Sequence, residues 1–191
     1  MAEQNKRELQ KKILRREMLS RRNALSEDEQ RKAEALITDK ILEHRWFREA
    51  EIVLGFASYG SEIRTGLILQ ETIRQGKQLY LPKIQGEEML FWAVKDLREL
   101  QAGYKGIPEP EGTGRQYIYE LPVQKTFMLV PGVAFDTERG RMGYGKGFYD
   151  RFLADRPGLI ARSIGIGHAC QLAEKIPCEE TDIRPAQVIC V

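Results

Sequence analysis

The chain has 191 residues, 42% hydrophobic and 30% charged, the balance of a soluble globular enzyme and enough for one domain with a sizeable core. Its 30 Lys and Arg against 28 Asp and Glu leave a net charge of +2, which argues against a global attraction to nucleic acid or to a membrane surface. No stretch has the length of a transmembrane helix and the charged N-terminus lacks a signal-peptide core, so a cytoplasmic location is expected. Cys170, Cys178 and Cys190 are odd in number and form no C-x-x-C pair, and read as reduced thiols. With His44 and His168 alone, a histidine-rich zinc site is not expected.

From about Glu3 to Arg22 the chain reads as one amphipathic helix. Leu9, Ile13, Met18 and Leu19 form a narrow apolar stripe among Lys6, Arg7, Lys11, Lys12, Arg15, Arg16, Arg21 and Arg22. Its cations suit a solvated face, a reach toward a polyphosphate, or an RNA-binding arm, the last opposed by the interleaved Glu3, Glu8 and Glu17. Lys11 and Arg15 share a face at i,i+4 spacing and can act together. Ser26-Glu27-Asp28-Glu29 is a capping box that starts a second helix, with Ala33, Leu36, Ile37, Ile41 and Leu42 on one face. His44 is expected as an exposed residue at its end, favoured there by the helix dipole.

Ile52 to Ala57 reads as the first core strand, followed by a polar loop and a helix from Gly66 to Arg74 with Thr65 as N-cap. Glu62, just past a strand's carboxyl end, is either solvated or lines the crevice where open α/β sheets bind ligands. Gly76 suits helix termination, Lys77–Pro82 a second strand and Glu88–Val94 a third, with Trp92 as core. Asp96–Ala102 suits one or two helical turns. Gly106–Pro110 is rigid and extended because each proline biases its predecessor away from helix. Residues 111–125 read as a flexible loop with weak strand content.

The chemistry concentrates in TFMLVPGVAFDTERGRMGYGKGFYDRFL, residues 126–153. Phe127–Val130 suits a buried parallel strand stopped by Pro131-Gly132. A loop follows in which Gly140, Gly143, Gly145 and Gly147 alternate with Arg139, Arg141 and Lys146. Phe148–Leu153 then resumes at helical spacing until Pro157-Gly158. Glycines permit positive φ and let successive N–H groups point into one concavity. The helix N-terminus, Lys146 and Arg141 add positive charge, so the stretch is an anion cradle suited to a phosphate chain. Asp150, an acid beside a site for anions, would hold Mg²⁺ that phosphates share. Two familiar motifs do not fit: Gly147 stands where a P-loop needs Ser or Thr, and the spacing G-x-G-x-G after a long loop is not the Rossmann fingerprint.

After the cradle, Leu159–Gly167 holds an alternating strand ending at His168, a position open to a functional role. An acidic loop over Glu179–Asp182 and a short strand over Val188–Val191 close the chain. Strands alternating with helices imply an α/β fold, a three-layer α/β/α sandwich with a mainly parallel sheet.

Residues 131–153 resemble the signature of the 5-formyltetrahydrofolate cyclo-ligase family, PGxxFD followed within a few residues by GxRxGxGxGYYD. Met142 stands where that family commonly has Leu, and Phe148 replaces its first Tyr. The resemblance covers nearly the whole chain and implies the architecture of sugar-phosphate isomerases and CoA transferases. It further implies ATP- and Mg²⁺-dependent closure of 5-formyltetrahydrofolate to 5,10-methenyltetrahydrofolate. Carried over residue by residue, it places ATP on Lys11, Arg15, Arg141, Gly143, Tyr144, Gly145, Lys146, Gly147, Phe148 and Tyr149. It gives Lys146, Arg141 and Tyr149 catalytic roles, the folate to Ala57, Glu62 and Tyr149, and the metal to Asp150. Tyr149 also pairs with Leu153 at i,i+4, so core packing is its alternative. The family's S-x-x-x-E-x-x-T pattern matches Ser58, Glu62 and Thr65, but Gly60 replaces the family's proline after the tyrosine. Gly106–Pro110 resembles its "IPxP" loop near the pterin, with Tyr104 as a candidate aromatic. Gln171 matches a family glutamine. A second family aspartate near the metal is Ala186 here, with Asp182 a weak substitute. The implied substrate carries or lacks a polyglutamate tail, no nucleic acid or membrane partner is implied, and a monomer or weak homo-oligomer is expected.

Two other readings compete. A sugar-phosphate isomerase or acyl-CoA transferase of the same architecture would need a dedicated carboxylate base and no ATP. An RNA-associated protein would use the basic N-terminal helix and bind with steep salt dependence.

Overall fold

Alternate side chains of the central strands enter two different cores, and this fixes a layered molecule. A computed structural model describes residues 2–191 apart from Leu121, Pro122, Gln124 and Glu180, with side chains from Lys6 onward. The main sheet holds β1 (Ile52–Leu54), β2 (Gln78–Gln85), β3 (Glu88–Val94), β6 (Thr126–Val130), β9 (Ser163–Gly167) and β10 (Gln187–Cys190). Its order is β10-β9-β6-β1-β2-β3, parallel throughout except for the antiparallel β2–β3 hairpin. Val53, Leu79, Leu81, Phe127, Leu129, Ile164 and Ile166 pack with Ile37 and Ile41 of α2 (Glu27–Glu43), Phe47 of α3 (Arg45–Glu49), and Ile68 and Leu69 of α4 (Gly66–Arg74). Leu54, Tyr80, Met128 and Val130 pack with Leu153 of α5 (Phe148–Ala154) and Leu159 of α6 (Pro157–Ile160). The period of two along each strand therefore makes the α/β/α sandwich. Each fully buried Leu, Ile or Phe contributes about 1.5–3 kcal/mol.

The N-terminal helix α1 (Ala2–Asn23) belongs to neither layer. Through Met18 it packs on Val133, Ala134, Met142 and Ile176, over the two-stranded ribbon β7 (Ala134–Phe135) and β8 (Arg141–Met142). That ribbon corrects the expectation of a continuous loop after β6. No described helix is long and apolar enough to cross a membrane.

Several expectations change in detail. The Ser26–Glu29 capping box is formed, whereas His44 is half-buried and accepts from the Trp46 N–H through Nδ1, starting α3 instead of standing exposed. β1 stops at Leu54 because Thr65 replaces the ladder beyond it: its hydroxyl donates to the Phe56 carbonyl at 2.7 Å and accepts from the Ser58 N–H at 3.2 Å. Thr65 therefore gives α4 no side-chain cap. β2 runs past Pro82 to Gln85. Residues 97–99 make a single 3-10 turn, and β4 (Gln101–Ala102) pairs with β5 (Pro108–Glu109). The weak strand content expected in 111–125 is found beside β3, where the Tyr117 N–H donates to the Phe91 carbonyl at 2.8 Å and Tyr117 is buried. Leu121, Pro122 and Gln124 of that segment, and Glu180 of the acidic loop, lie outside the described residues.

Candidate active site

From β1 the chain moves to β2 on one side of the sheet, and from β6 it moves to β9 on the other. The carboxyl ends of β1 and β6 thus form the switch point at which open α/β sheets leave a crevice. The loop 55–65 stands on one bank and residues 131–147 on the other.

The second bank is built around two buried side chains. Phe135 lies against Gly132, Gly165 and Gly167, where an added Cβ would meet its ring at 2.5, 2.6 and 2.9 Å. Asp136 closes the β7–β8 turn: Oδ1 accepts from the N–H groups of Gly140 at 2.6 Å and Glu138 at 2.9 Å. Its Oδ2 accepts from the Ile176 N–H at 2.9 Å. Sequence reading missed Asp136, although an Asp at the start of a turn commonly accepts from the backbone N–H two residues on, as Asp136 does from Glu138. Beyond β8, Gly145 (φ +90°) and Gly147 (φ +64°) occupy left-handed backbone that a side chain would strain. α5 begins directly after Gly147 with no side-chain cap on its first N–H groups.

Cations approach this turn from two elements. Arg15 of α1 donates Nε–H to the Gly143 carbonyl at 2.9 Å, and Lys146 is exposed. Lys11, one turn earlier on α1, pairs with Asp182 at 2.7 Å and Glu179 at 3.2 Å. Burial pulls the Lys11 ammonium down, but the bonds and charges of Asp182 and Glu179 outweigh it and hold its pKa above the usual lysine value. Burial lowers that of Arg15. Arg151 holds the end of the turn, donating to the Lys146 carbonyl at 2.7 Å and the Glu87 carbonyl at 3.0 Å.

Arg141 sits beneath this turn, buried, with Nη1 3.1 Å from where a Gly143 Cβ would be. Its Nη2 donates to Asp150 Oδ1 at 2.6 Å, and the same oxygen accepts from the Ile183 N–H at 3.0 Å. Among the described residues no group of three His, Cys, Asp or Glu could hold a metal by itself. A lone partly exposed carboxylate suits Mg²⁺ when phosphates complete the coordination.

On the first bank Glu62 is 9% exposed. Its Oε1 accepts from the Tyr144 hydroxyl at 2.8 Å and its Oε2 from the Tyr59 N–H at 3.0 Å. Burial raises the Glu62 pKa, and the bonds from Tyr144 and Tyr59 and the charge of Arg22 oppose that only in part. Arg22, read in the sequence merely as one of α1's cations, is 4% exposed and donates to the Tyr144 hydroxyl at 2.8 Å and to Ser61 Oγ at 3.0 Å. Burial and the Glu62 charge push the Tyr144 phenol up to about 12. They also raise that of Tyr149, whose hydroxyl is buried without a hydrogen-bond partner, as is His168 Nε2. Burial and Arg22 lower the His168 pKa. Tyr149 thus packs its ring against the second core and keeps a buried hydroxyl without a hydrogen-bond partner. Ala57 is half-buried on the same bank. Tyr104 packs edge-on to Phe148, with ring centroids 5.9 Å apart, and Tyr59 lies against Gly106. Gln171 has a structural role: it accepts from the His168 N–H and donates to the Gly132 and Val133 carbonyls, bracing the turn after β6.

The fold and crevice define an α/β protein with its ligand site at the sheet's switch point, cationic and glycine-lined on one bank, carboxylate and aromatic on the other. Residues 7–191 match the 5-formyltetrahydrofolate cyclo-ligase family. A 5-formyltetrahydrofolate cyclo-ligase of Escherichia coli K12 is 32% identical over 167 residues, covering 85% of this chain and 90% of that protein. A probable 5-formyltetrahydrofolate cyclo-ligase of Caenorhabditis elegans is 32% identical over 172 residues, covering 85% and 83%. The solved structure of Aquifex aeolicus 5,10-methenyltetrahydrofolate synthetase superposes with a TM-score of 0.78 at 32% identity, over 92% of this chain and 86% of that one. The chain belongs to the 5-formyltetrahydrofolate cyclo-ligase family and is a ligase.

Proposed function

We propose that this chain uses ATP and Mg²⁺ to convert 5-formyltetrahydrofolate into 5,10-methenyltetrahydrofolate, ADP and phosphate. The observation that carries the reading is the pairing of the two banks: the turn with left-handed glycines that carries Lys146 and meets Arg15 is joined through the Tyr144 hydroxyl to a buried Glu62. The formyl oxygen attacks the γ-phosphorus and ADP leaves. N10 then attacks the formyl carbon, phosphate departs with the oxygen, and N10 gives up its proton. An N-formyl oxygen is otherwise a poor leaving group, so the protein has to position and neutralise more than to act as acid or base.

In this reading the backbone from Gly143 through Gly147 to Phe148 cradles the phosphates, with Tyr144 at its tip. Lys146, Arg15 and Lys11 neutralise the transferring group. Arg141 orients Asp150 from below, and Asp150 would hold Mg²⁺, which supplies charge neutralisation on the phosphate oxygens. Glu62, Ala57 and Tyr149 receive the folate, with Tyr149 flanking the formyl group. The chain acts as one domain over 1–191, its helical segment 1–25 beside the nucleotide, in the cytoplasm as a monomer or weak homo-oligomer. Its folate partner is 5-formyltetrahydrofolate with or without a polyglutamate tail, and it has no nucleic-acid or membrane partner. Arg22 is buried and engaged by Tyr144 and Ser61, which removes it from an RNA-binding arm.

The test is growth of the methenyl chromophore with 5-formyltetrahydrofolate, Mg²⁺ and ATP. Lys146→Ala is expected to lower turnover by about 10²-fold or more. Folded wild type that binds ATP without forming the chromophore would redirect the phosphoryl group to another acceptor.

A further inference from the structure

Tyr144 stands at the tip of the glycine turn between Gly143 and Gly145 and is 51% exposed. Packing of the residue as a whole therefore does little to hold it in place. Its hydroxyl does: it donates to Glu62 Oε1 at 2.8 Å and accepts from Arg22 Nη2 at 2.8 Å. Among the described residues this is the hydrogen bond that crosses from the turn 143–147 to the loop 55–65. Both oxygens of Glu62 consequently have protein donors, one a backbone N–H that is fixed and one a side chain on a glycine-rich turn. A ligand that donates to this carboxylate meets a competitor, and the competitor able to leave is Tyr144.

We propose that Tyr144 is a positioning residue that couples the two banks of the crevice, clasping the glycine turn to Glu62 and Arg22 until a ligand's N–H donors take the carboxylate. The proposal rests on the reading of Glu62 as a substrate carboxylate. Release of the hydroxyl frees the tip, whose flanking glycines permit rearrangement, to close on phosphate. Folate occupancy and nucleotide affinity are thereby linked, and linkage is reciprocal.

The experiment measures binding of a non-hydrolysable ATP analogue with and without saturating 5-formyltetrahydrofolate, in the wild type, Tyr144→Phe and Glu62→Gln. In the wild type the folate is expected to tighten analogue binding about tenfold, the lower limit for one hydrogen bond to a charged group. Tyr144→Phe keeps the ring and removes the clasp, so it should bind the folate alone about 3- to 10-fold tighter and show a coupling ratio near one. Tyr144→Leu should lose the coupling in the same way. A wild-type ratio of one, or a ratio unchanged in Tyr144→Phe, overturns the clasp. Glu62→Gln separates the two ideas. If it leaves folate affinity unaltered, the reading of Glu62 fails and the clasp with it. If it weakens the folate while Tyr144→Phe retains wild-type coupling, the clasp alone fails.

Discussion

Arg141 Nη2 donates to Asp150 Oδ1 across 2.6 Å beneath the glycine turn, with the Arg141 side chain 4% exposed and that of Asp150 22% exposed. The pair joins β8 to α5, the elements that flank the turn, and so ties the two ends of the turn together. Arg141→Met leaves Asp150 and its Ile183 bond without a cation and is expected to cost about 3 kcal/mol, the lower end for a broken buried pair. Urea unfolding reads this, and an unchanged midpoint would refute it. Asp150→Asn keeps an acceptor for both donors. It should cost less stability than Arg141→Met while raising the Mg²⁺ concentration needed for half-maximal turnover.

Glu62 carries a pH signature. Below about pH 4.5, its ordinary value, Glu62 is protonated in folded and unfolded chains alike. As pH rises past that value the unfolded chain ionises Glu62 freely while burial resists ionisation in the fold, so stability present at low pH is lost as pH rises through the raised folded value. Glu62→Gln removes this loss. Its melting temperature should exceed that of the wild type by a margin that grows with pH above 4.5 and then levels off, while folate binding falls. A margin that shrinks as pH rises would contradict the burial argument.

Asp136 serves three backbone N–H groups, of Glu138, Gly140 and Ile176. Asp136→Ala orphans them and is expected to cost about 3 kcal/mol or more. Activity should fall further than the population of unfolded protein explains, because the ribbon beneath the cradle loses its closing bonds. Differential scanning calorimetry beside steady-state turnover separates the two effects.

Two glycines should fail differently. At Gly165 an added Cβ meets the Phe135 ring at 2.6 Å, so Gly165→Ala overpacks the core by about 1–3 kcal/mol. At Gly145 the nearest atom is Arg15 Nη2 at 3.5 Å, and the obstacle is φ +90°. Gly145→Ala should be strained by about 1–2 kcal/mol and weaken ATP-analogue binding. Gly165→Ala should leave the binding of its folded fraction near wild type. Equal loss of nucleotide affinity in both would mean that the turn's backbone shape is not what holds phosphate.

Much of the fold was legible because its causes are local. Ser26 and Glu29 announce the start of α2, Gly66–Arg74 and Glu88–Val94 match their elements end to end, and the alternation of Phe127, Met128, Leu129 and Val130 assigns each to its core. The glycine turn was legible for the same reason, since positive φ selects glycine residue by residue. The β7–β8 ribbon was not, because two-residue strands carry no period and depend on Asp136 and on α1 above them.

The sequence by itself determined which residue types were available to the site and where the long elements, α2, α4, β3 and β6, would lie. Their partners were decided by tertiary structure alone. Lys11 meets Asp182 across 171 positions, Arg22 meets Tyr144 across 122 and Tyr144 meets Glu62 across 82. No pattern along the chain encodes such pairs, because they arise where the strand order β6-β1 brings two loops to one edge and α1 closes over both.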